Sequence, residues 1–140
     1  MSIILCSFAN MEEHAKGELF SIARWQPKGR VRFRTLWFFA PFMADGTPIK
    51  MMPPEEYRKL YIANVFLGPN RERISKWLDR LDPEKDITLM CWCNKERQAN
   101  YPKLFCHSLL VGYLIRERRP DIKVVFADGR EKPVWNSILG

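Results

Sequence analysis

Asp86-Ile-Thr-Leu-Met-Cys-Trp-Cys93, a polar loop, then Leu104-Phe-Cys-His-Ser-Leu-Leu-Val-Gly-Tyr-Leu-Ile-Arg-Glu117 reads as strand, loop and helix in succession. The first part is a short apolar, β-prone run after the turn signal Asp82-Pro83, the pattern of a buried strand. The last part has helical spacing and stops before Pro120. Three of the four cysteines and one of the two histidines fall where strand becomes loop and loop becomes helix. In open α/β sheets ligands bind outside the carboxyl ends of strands, facing helix N-termini. The joint between Asp86 and Glu117 is therefore where a site is expected.

Working outward, Ser2 to Cys6 is a compact β-branched run, read as a first and central strand. Its carboxyl-end loop, Ser7 to Asn10, would lie beside Cys91 and Cys93 if the strands are parallel. Glu18 to Arg24 gives a second strand, closed by Trp25-Gln26-Pro27-Lys28-Gly29, where Pro fixes φ and Gly permits a positive one. Arg30 to Phe38 begins with alternation, placing Arg30, Arg32 and Arg34 on one face and Val31 and Phe33 on the other. Trp37, Trp77 and Trp92 read as core residues. A Met/Pro-rich loop then runs to Pro54.

Pro53-Pro54-Glu55-Glu56 opens a helix, with Pro in the first turn and carboxylates at the positive end of the dipole. Gly68-Pro69 stops it. Asn70 caps a second helix, Arg71 to Leu81, with Ile74, Trp77, Leu78 and Leu81 on one face. Ile122 to Ala127 is a last strand. Strands alternating with helices predict one α/β domain over residues 1–140, a three-layer sandwich with a mostly parallel, Rossmann-like sheet and helices on both faces. The helix-poor N-terminal half leaves room for an antiparallel edge.

Composition narrows the partners. A 140-residue chain with 46% hydrophobic residues can bury a core. No apolar run approaches the ~20 residues of a bilayer span, so no membrane partner is expected. Met1 to Phe8 lacks the pattern of a secretory signal. Cysteines gathered at one joint suit a reducing, cytoplasmic setting better than a disulfide framework. A net charge of +7 favours an anionic ligand, a phosphate-bearing small molecule or nucleic acid.

Several of these segments resemble the domain of unknown function 488 family. They are Ile4-Leu-Cys-Ser-Phe-Ala-Asn10, Phe20-Ser-Ile-Ala-Arg-Trp-Gln-Pro-Lys-Gly29, Pro54-Glu-Glu-Tyr-Arg-Lys-Leu-Tyr61, Leu89-Met-Cys-Trp-Cys93 and Phe105-Cys-His-Ser108. The resemblance runs through nearly the whole chain in order, and it implies the same α/β fold without assigning an activity. Two positions depart from the family pattern: Cys93 stands where an acidic residue is usual, and Ser108 where an Arg follows Cys-His. Any role of a carboxylate or arginine at those places does not carry over.

Three chemistries compete at the joint. Cys91, Cys93, Cys106 and His107 supply the inventory of a tetrahedral zinc site, although Cys-x-Cys followed by adjacent Cys-His is not the usual pair of chelating turns. Cys106 or Cys91 could act as a thiolate nucleophile with His107 or His14 as base, since a helix N-terminus favours a thiolate. Alternatively the joint binds a phosphate, with Ser7, Asn10, Arg24 and Lys28 as ligand-binding residues and Arg30 and Lys95 to Arg97 on the rim. Neither a dinucleotide-binding nor a Walker fingerprint is present. Against all three, Cys6 and Cys91 on apolar strands read as packing, and His14, between Glu13 and Lys16, as solvated. Arg30, Arg32 and Arg34, interleaved with Trp25, Phe33 and Trp37, have the ingredients of a nucleic-acid surface. The plainer reading is a solvated strand face. The rival function is thus a non-enzymatic nucleic-acid or protein interaction module using the Arg24–Arg34 face.

Overall fold

A computed structural model describes residues 2–8, 11–23, 33–50, 52–91 and 107–127. Five strands, β1 (Ser2–Ser7), β2 (Glu18–Ser21), β3 (Arg34–Thr35), β4 (Ile87–Cys91) and β5 (Lys123–Phe126), form one sheet in the order β3-β2-β4-β1-β5. Every pairing is parallel, so the antiparallel edge expected for the N-terminal half does not occur among these strands. The helices are α1 (Met11–His14), α2 (Pro54–Tyr61), α3 (Arg71–Asp79) and α4 (His107–Arg118). A 3-10 turn over Trp37–Phe39 follows β3, and a π-helical turn over Ile62–Phe66 extends α2.

Strands buried on both faces read as continuous apolar runs, and β1 and β4 do so. Their register sets Leu5 beside Leu89 and Ser7 beside Cys91, while Phe20 of β2 pairs with Leu89 on its other edge. Leu5 faces α4, because a Cβ on Gly112 would stand 2.3 Å from Leu5 Cδ1; the bare glycine lets the helix sit close on β1 and β5. Pleating turns the next layer, Ile4, Thr88 and Leu19, to the opposite face. There Thr88 Oγ1 accepts from Lys16 N at 2.8 Å and donates to Lys16 O at 2.8 Å, tying the turn after α1 to the sheet. α2 and α3 lie with α4 on the first face, where Tyr61 meets His107 and Arg119 reaches Leu78 O. Helices therefore cover both faces.

Several local expectations shift. The second strand ends at Ser21 rather than Arg24. Of the stretch expected as a strand over Arg30–Phe38, residues 33–38 are described; Arg34–Thr35 form the strand among them, and the chain then coils through Trp37–Phe39. Trp37 is 61% exposed, which overturns its placement in the core. In a turn of three residues only part of the ring of side chains can face inward, and Phe39, fully buried, takes that place. Trp77 is partly buried and packs edge-on against Phe39 at 5.2 Å. Asn70 does precede α3, but it makes no side-chain cap; its carbonyl accepts from Ile74 N at 3.0 Å.

Two contacts locate the ends of the layers. Gly17 has φ +68°, and a Cβ there would stand 1.9 Å from Asp86 O, the carbonyl that accepts from Glu18 N at 3.1 Å where β2 begins to pair with β4. Gly17→Ala should cost at least 1–2 kcal/mol, roughly, from the left-handed conformation alone, read as a fall in the urea midpoint; an unchanged midpoint would contradict this register. Arg119 donates to Leu78 O at 2.7 Å and Leu81 O at 3.0 Å while gripping Asp121 at 2.8 and 3.0 Å. The hydrogen bonds from Arg119 hold the Asp121 carboxyl below the usual carboxylate range. A depressed folded-state value contributes stability above the unfolded pKa and loses it as pH falls through the folded one. Parent and Asp121→Asn should therefore differ by a constant amount at neutral pH and converge below about pH 4, followed by thermal unfolding against pH.

Candidate functional site

The crossovers locate the topological switch point of the sheet. From β2 the chain moves outward to β3, whereas from β4 it moves the other way, across β1 to β5. β2 and β4 are neighbours, so their carboxyl ends part company, and this is the switch point at which open α/β sheets bind ligands. The start of α4 stands at this point. His107, its first residue, donates from Nε2 to the carbonyl of Ile22, one residue past β2, at 2.7 Å. A carbonyl only accepts, so Nε2 carries the proton, and any base function of this ring has to run through Nδ1.

Around His107 the described residues form a buried, hydrogen-bonded floor. Cys91 is fully buried, its Sγ 3.6 Å from Ser108 Oγ and 4.0 Å from Cys6 O. The Tyr61 ring lies 5.6 Å from the His107 ring, and its hydroxyl donates to Phe39 O at 2.5 Å. Burial pushes the Tyr61 hydroxyl well above its ordinary pKa, with Tyr57 and Cys91 adding to the effect. Tyr61 is thus a fixed neutral donor that joins the end of α2 to the Trp37–Phe39 turn. Ser21, also fully buried, accepts from Ala23 N at 3.2 Å and shapes the chain as it leaves β2.

Of the residues singled out by sequence, Cys91, His107 and Ser108 come together here, and Ser7 is placed by its pairing with Cys91. His14 belongs to α1, beside Glu13 at 3.8 Å, on the face of the sheet turned away from α4. Arg34 is exposed on the edge strand β3, its guanidinium 5.8 Å above the Phe20 ring. Asn10, Arg24, Lys28, Arg30, Arg32, Trp92, Cys93, Lys95, Arg97 and Cys106 lie outside the described residues. Among the described residues no group of three or more His, Cys, Asp or Glu side chains is placed to hold a metal; Cys91 and His107 are the described members of the Cys/His set. Cys6 and Cys91 are buried thiols outside any disulfide, as expected of cysteines packed as small hydrophobes.

Tyr61 and the Ile22 carbonyl were not legible as site groups. Tyr61 finds Phe39 across 22 residues of chain, and no local pattern signals such a pairing. No family model, curated protein or solved structure matches the chain.

Two side-chain hydrogen bonds to main-chain carbonyls, one past a strand end and one in a turn, hold the floor. His107→Phe keeps a ring but strips the donor from Ile22, and Tyr61→Phe does the same to Phe39. Each should cost about 1–3 kcal/mol by urea unfolding, and a loss under about 0.5 kcal/mol would mean that the carbonyl finds another partner.

Proposed function

We propose that the crevice above the carboxyl ends of β2, β4 and β1 binds a phosphate-bearing ligand. The observation that carries this reading is the divergence of the chain at β2 and β4, with the first residue of α4 tied to the end of β2 by the His107–Ile22 hydrogen bond. A 12-residue helix begins at that point, and the positive end of its dipole favours an anion. Cys91, His107, Ser108, Tyr61 and Ser21 supply no Lys or Arg, so the reading draws the cations that offset the phosphate from neighbouring segments. Arg24 and Lys28 follow Ala23 in sequence, and Lys95 and Arg97 lie between β4 and α4. Cys106, which precedes the first helical residue, is the thiol best placed by sequence for chemistry on such a ligand.

Equilibrium dialysis against inorganic phosphate, a nucleoside monophosphate and the matching nucleoside tests the proposal. The phosphate-bearing compounds should bind and the nucleoside should not. Arg24→Ala with Lys28→Ala should weaken binding by about tenfold or more, the effect of losing a charge-assisted hydrogen bond. Equal binding of nucleoside and nucleotide, or none of any compound, would remove the reading.

A second reading is a nucleic-acid-binding face built on Arg30, Arg32 and Arg34. Arg34 supports it, exposed on the edge strand and close to an aromatic ring. Binding that falls steeply with salt and is lost when the three arginines are replaced, while phosphate binding in the crevice persists, would favour this reading.

A further inference from the structure

A groove of about 250 Å³ opens between the π-helical turn, α3 and α4. One stripe of α3 and one of α4 line it, at the spacing that brings side chains to a common helical face. Phe66, Ile74, Leu78 and Leu114 give it an apolar floor and are buried. Leu67, also in the lining, is 49% exposed and keeps apolar surface in contact with water. The polar part of the lining is Arg71, Glu72, Ser75 and Arg118. His107 opens α4 and Arg118 closes it, so the groove lies at the far end of that helix and shares no residue with the carboxyl-edge site.

The polar groups of this groove are short of partners. Arg118 donates from Nη2 to Ser75 Oγ at 3.2 Å, a bond that joins α4 to α3. A guanidinium carries five N–H donors and a hydroxyl one. The remaining donors of Arg118 and the Ser75 hydroxyl proton meet no acceptor among the described residues. Arg71 and Glu72 are exposed and adjacent in the first turn of α3, and neither side chain has a partner among the described residues. Arg71, Arg118 and Ser75 thus offer donors to a carboxylate, Glu72 offers a carboxylate to an ammonium, and Leu67 and the floor offer apolar surface. Hydrogen bonds between ionised groups are the stronger kind. The volume holds roughly eight groups the size of a water molecule, which suits one amino acid rather than a peptide. We propose that the groove binds a free apolar α-amino acid of about the size of leucine. Its carboxylate meets Arg71, Arg118 and Ser75, its ammonium meets Glu72, and its side chain lies against Leu67 and the floor.

Amide NMR titration of the 15N-labelled protein tests this with three compounds: leucine, isocaproate, which lacks the ammonium, and leucinamide, which lacks the carboxylate. Leucine should give saturable shifts at Leu67, Arg71, Ser75 and Arg118. Isocaproate and leucinamide should each bind about tenfold more weakly or worse, having lost one charge-assisted contact. Arg71→Gln should weaken leucine by about tenfold. Glu72→Gln should weaken leucine but not isocaproate, so that the two come within about threefold of each other on that variant. Both side chains are exposed, so neither change removes core packing. Comparing two ligands on one variant also separates recognition of charge from any change in the fold. Equal affinity of the parent for leucine and isocaproate would leave Glu72 without a role and overturn the proposal. So would equal affinity for leucine and leucinamide, which would remove the carboxylate contact. Shifts confined to residues outside the groove, or shifts that never saturate, would overturn the site itself.

Discussion

Strand β4 is third of five, paired along both edges and covered on both faces, and the rest of the structure is placed by its register. Side chains alternate strictly along a strand, so a slip of one residue would carry Leu89 and Cys91 off the α4 face and put Thr88 and Met90 there. Thr88 would then lose the Lys16 backbone on one side and bury an unpaired hydroxyl on the other, a cost of a few kcal/mol, roughly. The same register sets Ser7 level with Cys91, so two strands end together and α4 begins against them. The position of the α4 N-terminus at the carboxyl edge follows from this pairing.

The carboxyl edge rests on a buried, hydrogen-bonded floor. His107, Ser108, Cys91 and Tyr61 are buried, with His107 and Tyr61 each donating to a main-chain carbonyl. Such a floor fixes the position of the α4 N-terminus. The two proposed activities draw on different cations, Arg24, Lys28, Lys95 and Arg97 for the phosphate and Arg30, Arg32 and Arg34 for the nucleic acid. Their separation is physical: a phosphate at the crevice answers to the helix dipole and a few close donors, whereas a nucleic acid at the β3 edge answers to spread charge.

The parallel sheet was legible because strands alternate with helical segments late in the chain, and the strands at Ser2–Ser7 and Ile87–Cys91 because each is a short, mainly apolar run. Ile74 and Leu78 on α3, both buried, were legible from their helical spacing. The four residues of α1 are too few to show a period. The π-helical turn goes with a tertiary contact, the side chain of Asn64 reaching Ala44 N, and periodicity does not register it. Trp37 was misplaced because the alternation of Arg30–Phe38 was extended through a turn whose inward position goes to Phe39. At the site, the joint of Cys91 and His107 was visible as a cluster of residue types. The hydrogen bonds that decide its chemistry are set by partners far away in sequence.

Amide chemical-shift mapping of the 15N-labelled protein during titration with a nucleoside monophosphate tests the central claim most directly, since it locates the ligand on the sheet. Saturable shifts at Ile22, Ala23, Cys91, His107 and Ser108, with Glu18, Ile87 and Lys123 at the opposite ends of their strands unmoved, are the predicted result. Shifts that gather at the amino ends of the strands, or that never saturate, would contradict a phosphate site at the carboxyl edge.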